Sequence, residues 1–133
     1  MLMAERSGTM GDLDRVLADL RALSEDIESC AVLFGDGELI SSSHASEVDR
    51  ERVGALLAAL VNLSDKAARE SGKNHTSQLR IDVEGGHLLL VRLDRGGILA
   101  ATTGPEARVG LVLYDMRNSR GEVEKALAEG GGQ

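Results

Sequence analysis

The chain has 133 residues, of which 42% are hydrophobic and 2% aromatic, and its formal net charge is -7. That length suits one domain burying roughly two-thirds of the surface its unfolded form exposes, and with Phe34 and Tyr114 as its only aromatic residues the core must be aliphatic. Acidity and the shortage of stacking platforms exclude nucleic acid and anionic membrane surfaces as main partners, because both need a cationic footprint.

Residues 1–9 read as a flexible leader and residues 129–133 as a flexible Gly-rich tail, flanking one domain over 10–128. From Gly11 to Glu28, apolar residues fall at Leu13, Val16, Leu17, Leu20, Leu23 and Ile27, the spacing of a one-faced helix that packs on a core. The run from Cys30 to Phe34, the turn Gly35-Asp36-Gly37 and the run from Glu38 to Ser42 predict two antiparallel strands joined by a tight hairpin. Ser46 to Asp49 has the pattern of a helix capping box, with Asp in place of the usual Glu or Gln.

The helix that follows should span about Glu47 to Ser71. Its apolar arc is wide, with Val53, Leu56, Leu57, Leu60, Val61 and Leu63 supplemented by Ala55, Ala58 and Ala59. A helix apolar nearly all round is covered on more than one side, so its own sheet takes one side and a second molecule the other. The alanines also have a plain explanation in helix propensity.

Gln78 to Thr103 reads as a three-strand meander, QLRIDVE, HLLLVRL and ILAATT, punctuated by glycine pairs. Leu79, Ile81 and Val83 alternate with Arg80, Asp82 and Glu84, which marks a half-exposed strand, while Leu88 to Leu93 is apolar on both sides and marks a covered centre. The first of these strands is outermost, and an edge with such regular alternation is a template for strand pairing. Thr103-Gly104-Pro105-Glu106 predicts the start of a last helix, whose core stripe is Val109, Val112, Leu113, Met116, Val123 and Leu127. Leu111 and Tyr114 project elsewhere, either as ordinary surface residues or as a second contact with the first helix; Tyr suits a partly wet interface, which favours the contact. The order helix, two strands, helix, three strands, helix defines an α+β sandwich.

The chemistry-bearing patterns are few. Ser71-Gly72-Lys73-Asn74 lacks the upstream glycine and following hydroxyl of a phosphate-binding loop, and Gly35-Asp36-Gly37 lacks the third glycine of a dinucleotide site. His44, His75 and His87 show no metal-ligand spacing. Ser41-Ser42-Ser43-His44 suits a polar connection better than a nucleophile beside its base. Cys30, the only cysteine, permits no intrachain disulfide and no thiolate cluster; opening an apolar strand, it behaves as a small buried hydrophobe. A reducing cytoplasm fits this usage, and the absence of an apolar leader or of about 18 consecutive apolar residues gives no signal peptide and no membrane insertion. No enzyme, cofactor or metal is expected. A small-ligand sensor would need convergent polar groups around a pocket, which the sequence does not supply.

The order of elements, the hairpin AVLFGDGELIS, the Ala/Leu-rich second helix, the meander with GGHLLLVRL and GGILAATT, and the closing ARVGLVLYDMR together resemble the roadblock family of dynein light-chain-like proteins. The similarity runs from about Gly11 to Leu127 and is greatest to short bacterial members related to gliding-motility GTPase regulators. It implies a roadblock/profilin-like α-β-β-α-β-β-β-α sandwich, with a five-stranded antiparallel sheet between helix 2 on one face and helices 1 and 3 on the other. It implies a homodimer or heterodimer whose sheets join edge to edge and whose second helices pack together, with Leu56, Ala59, Leu60, Leu63, Leu79, Arg80, Ile81, Asp82 and Val83 as the interface. The partner implied is a small Ras-like GTPase whose hydrolysis is modulated, met through Arg52, Asn62, Asp65, Lys66 and Arg69. The alternative is a dimerisation adaptor for a sensor kinase or other signalling complex. The gliding-motility regulators carry additional C-terminal sequence, so GTPase binding is better supported than activation. No spacing singles out an arginine finger among Arg50, Arg52, Arg69, Arg95 and Arg117.

Overall fold

A computed structural model of the chain describes residues 2–34, 38–43 and 50–131, with side chains described over 12–34 and 51–129. The elements are α1 (Leu2–Leu23), β1 (Ile27–Phe34), β2 (Glu38–Ser43), α2 (Arg50–Glu70), β3 (Gln78–Val83), β4 (Gly86–Arg92), β5 (Gly97–Thr103) and α3 (Val109–Gly131). The strands form one sheet in the order β2-β1-β5-β4-β3, and every neighbouring pair is antiparallel. Because β5 closes against β1, the meander and the first hairpin become one sheet, with β2 and β3 at its two edges.

Alternation along the strands divides the core in two. Cys30, Val32, Leu89, Val91, Leu99 and Ala101 point to one face, where Leu13, Leu17 and Leu20 of α1 and Val109, Val112, Met116 and Val123 of α3 complete a large cluster. Leu33, Leu90, Ile98 and Ala100 point to the other face and meet Val61 of α2, with Leu57 and Leu79 packed at the margin. Cys30 is buried, and its thiol donates to the Leu17 carbonyl at 3.6 Å. The β3–β4 turn requires Gly86: its φ is +155°, and a Cβ there would lie 1.8 Å from the Thr103 carbonyl oxygen.

Several boundaries differ from the sequence reading. Helix α1 begins at Leu2, so it extends through residues that the sequence reads as a leader. At its other end Ile27 leaves the predicted helix and joins β1, pairing with Thr103. Helix α3 starts at Val109 because Thr103 is the last residue of β5, and Pro105 and Glu106 form the turn between. The Arg108 amide finds an acceptor in the Asp26 carboxylate at 2.9 Å, supplied from the α1–β1 loop. The same helix continues to Gly131, through much of the predicted tail. Leu111 and Tyr114 are exposed, so the predicted contact with the first helix is not their role within the monomer. The Gly35-Asp36-Gly37 turn, the Ser46–Asp49 capping box and His44 lie outside the described residues.

Candidate interaction surface

Helix α2 is built from strong helix formers, with Glu51 in its first turn and Arg69 in its last, each complementing the helix dipole. One side of it, Leu57, Ala58 and Val61, meets the sheet. The other carries Val53, Leu56, Leu60 and Leu63 at successive steps of three and four, which aligns them along one stripe. Leu56 is 58% and Leu63 65% exposed, while Val53 and Leu60 are each 38% exposed. Ala59 is exposed beside them.

Two polar contacts fix how this helix sits. Asp65 accepts both guanidinium contacts from Arg92 Nη2 of β4, at 2.8 and 2.6 Å, and a third bond from the Thr76 amide at 2.7 Å. Burial raises this carboxyl, but the Thr76 amide and the Arg92 guanidinium outweigh it and hold it below its ordinary value. Ser64 shares a 2.6 Å hydrogen bond with the Thr76 hydroxyl just before β3. Since Leu60 and Ser64 stack one turn apart, the uncovered stripe runs along the side of α2 nearest the start of β3.

Strand β3 alternates in exposure as its sequence does. Leu79 and Ile81 are half-buried on the α2 face, and Val83 beside them is 47% exposed. On the opposite face Gln78, Arg80 and Asp82 form a polar row. Asp82 Oδ1 accepts from Arg80 Nε at 3.0 Å and lies 2.8 Å from His87 Nδ1 on β4. The Arg80 bond, then the His87 bond, hold the Asp82 carboxyl below its ordinary range. Gln78 accepts from Arg117 of α3 at 3.0 Å.

The predicted interface residues thus gather into two adjoining strips, Leu56, Ala59, Leu60 and Leu63 on α2 and Leu79 to Val83 on β3. The predicted partner residues divide. Asn62, Lys66 and Arg69 are exposed and, with Ala59 and Leu63, line a shallow groove on the flank of α2. Arg52 is exposed a few turns away. Asp65 lines the same groove, and its side chain, 14% exposed, is engaged by Arg92 and by the Thr76 amide, so it also anchors the helix. Val53 falls outside the expected interface set, although its spacing to Leu56 and Leu60 continues the stripe. The sequence places His87 at a turn, and only the Asp82–His87 register pair reveals its position behind the β3 edge.

Burial pushes the Cys30 thiol up to about 11, which keeps it unreactive. Among the described residues no group of three or more His, Cys, Asp or Glu side chains is placed to hold a metal ion. No helix among them is long and apolar enough to cross a membrane.

Residues 13–103 match the family model described as the Roadblock/LC7 domain. A search of curated proteins gives no significant match. Among solved structures the chain is similar to MglB of Myxococcus xanthus, at 18% identity over 87% of this chain and 87% of that one, with a TM-score of 0.80. It is similar to the gliding protein MglB of Thermus thermophilus, at 12% identity over 91% and 92% of the two chains and a TM-score of 0.82. A Roadblock/LC7 domain from Streptomyces avermitilis aligns at 22% identity over 86% and 96%, with a TM-score of 0.77. At these identities the likeness is one of fold.

Proposed function

The chain belongs to the Roadblock/LC7 domain family, and from that premise we propose that it acts as a non-enzymatic dimeric regulator: two copies join through α2 and β3, and the assembled α2 surface binds a small Ras-like GTPase. The observation that carries this reading is the exposed stripe Val53, Leu56, Leu60 and Leu63. A contiguous apolar stripe in water marks an interaction site, and helices with this spacing pack against one another. The stripe adjoins a sheet edge with unpaired backbone groups, so one partner copy can cover both.

The GTPase contact rests on the flank that such a dimer leaves open. Asn62, Lys66 and Arg69 place two cations and an amide together on a chain of net charge -7. Asp65 in the same groove is held by Arg92, so the charges presented outward there are Lys66 and Arg69, which suit an acidic patch on a partner.

Two measurements test the proposal. Sedimentation or light scattering of the purified chain at micromolar concentration should give twice the monomer mass, and a monomer overturns the dimer. A purified cognate Ras-like GTPase should bind more tightly when loaded with a GTP analogue than with GDP. Replacing Lys66 and Arg69 with Glu should weaken that binding by at least about tenfold while leaving the dimer mass unchanged. Equal affinity for the two nucleotide states, or none, removes the GTPase and leaves the adaptor role in a sensor-kinase complex.

A further inference from the structure

The groove on the flank of α2 presents Lys66 and Arg69, whereas a second groove, on the other side of the sheet, presents acids. Asp26, just after α1, accepts from Arg108, just before α3, so the end of α1 lies beside the start of α3 and the two helices run antiparallel. Between them is an open groove of about 180 Å³, lined by Val16, Asp19, Leu20 and Leu23 of α1 and by Ser119 and Glu122 of α3. Leu20 is buried and Val16 half-buried, so they form its floor, while Leu23 is 67% exposed. On a helix, a side chain seven or eleven residues on returns to within about 20° of the same direction. Val16 and Leu23 therefore share one line of α1. Leu111, also exposed, shares a line of α3 with Glu122 and stands at the end of α3 that meets the end of α1.

The rims are acidic on both helices. Asp19 and Glu122 are exposed, and among the described residues no cation lines the groove and neither carboxylate is held in an ion pair. Along the same sides of the helices, Arg15 is engaged by Asp12 at 3.3 Å and Lys125 stands a turn beyond Glu122. These charges narrow the choice of occupant. A second copy docked here about a two-fold axis would set the same acids against themselves, and like charges across an interface cost affinity. A small molecule needs enclosure and convergent polar groups. A helix with apolar side chains along one stripe and Lys or Arg beside them meets both the floor and the rims. Val16 to Leu23 spans about 10 Å, which accommodates about two turns of such a helix.

We infer that the α1–α3 groove is a docking site for a cationic amphipathic helix of a partner protein, with its aliphatic side chains over Val16, Leu20 and Leu23 and its Lys or Arg side chains against Asp19 and Glu122. Apolar contact supplies the affinity, and the two carboxylates fix the orientation and reject acidic segments. The groove lies across the sheet from the α2 stripe, so its role depends on neither the dimer nor the GTPase contact. A chain occupied there keeps α2 and the β3 edge available to other partners.

The probe is a fluorescein-labelled synthetic peptide of about 15 residues, with Leu along one helical stripe and Lys elsewhere. Fluorescence anisotropy with the full chain should show saturable binding, and a peptide of the same composition in an order without an apolar face should bind at least about tenfold more weakly. Asp19→Lys with Glu122→Lys should weaken the first peptide by at least about tenfold, and Leu23→Gln by about fivefold. Glu70→Lys with Glu84→Lys makes the same change of charge at exposed positions outside the groove and should alter the affinity by no more than about twofold. The positions changed in the groove are exposed, so urea titration should find the fold unaltered. Absence of binding overturns the site. Equal binding of the two peptides, or equal losses from the two charge-changing pairs, reduces the contact to bulk attraction and overturns it as well. A lower mass by light scattering for Leu23→Gln than for the wild type would make a second copy the occupant and overturn the foreign helix.

Discussion

The two faces of the sheet are packed to different depths. On one, α1 and α3 lie side by side and close the cluster that runs from Leu13 to Leu127, with Leu17, Val32, Leu89, Leu99, Met116 and Val123 fully shut off from water. On the other, the single helix α2 covers a small patch around Leu33, Leu90, Ile98 and Ala100, and keeps its own Leu56 and Leu63 in solvent. The first face is closed beneath its two helices within one chain, although Leu23, Leu111 and Tyr114 on those helices stay exposed. The second is unfinished, and the unfinished side also carries the exposed apolar residue of β3, Val83. The larger buried cluster therefore lies on one side of the sheet and the exposed stripe of α2 on the other.

The largest effect should come from the closed face. Leu17→Ala removes a side chain with no exposure at all, beside Cys30, whose thiol bonds the Leu17 carbonyl. The loss should be about 2–5 kcal/mol of unfolding free energy, because a close-packed site relaxes only partly around a cavity. Urea titration measures it. A loss below about 1 kcal/mol would mean that this face is no more tightly packed than the other, and the comparison would break.

A smaller effect should come from the anchor of α2. Arg92→Ala strands Asp65, whose carboxylate is mostly withdrawn from water, and should cost about 2 kcal/mol. The pH dependence gives the sign independently. Because the folded Asp65 value is lowered, its contribution is complete above the ordinary value of 3.8 and is lost as the pH falls below it through the folded value. Wild-type stability should fall over that acid range, and Asp65→Asn should flatten the fall. An unchanged acid slope in Asp65→Asn would place the anchor elsewhere.

The same contrast separates what the sequence makes legible from what it does not. Glycine pairs and the alternation of Leu79, Ile81 and Val83 announce the meander, because turn geometry and two-fold side-chain periodicity are local properties. The wide apolar arc of α2 is legible for the same reason. Asp65 was not legible. On a helical wheel it belongs with Asn62, Lys66 and Arg69, and only the return of β4 brings Arg92, 27 residues away, against it. The start of α3 was obscured by competition: Thr103 and Gly104 resemble a cap, but Thr103 already pairs with Ile27 and His87 in the sheet, and the helix waits for Val109. Local pattern gives elements, while long-range pairing decides which residues remain available to a partner.

The smallest effect on the isolated fold should come from the uncovered stripe, and it sharpens the comparison most. Leu63 is 65% exposed and lies outside both buried clusters. Leu63→Glu should therefore change the unfolding free energy of a monomeric chain by no more than about 0.5 kcal/mol. In a dimer joined through α2 the same carboxylate would face the apolar stripe of a second helix without a cation to meet it, and its desolvation should raise the dissociation constant by at least about tenfold. Sedimentation across a concentration series reads the association, and urea titration at the lowest concentration reads the fold. Loss of both together would make Leu63 part of the core. Loss of association alone separates the finished face from the unfinished one, because a residue that contributes nothing to the monomer and much to the dimer is retained for the second molecule.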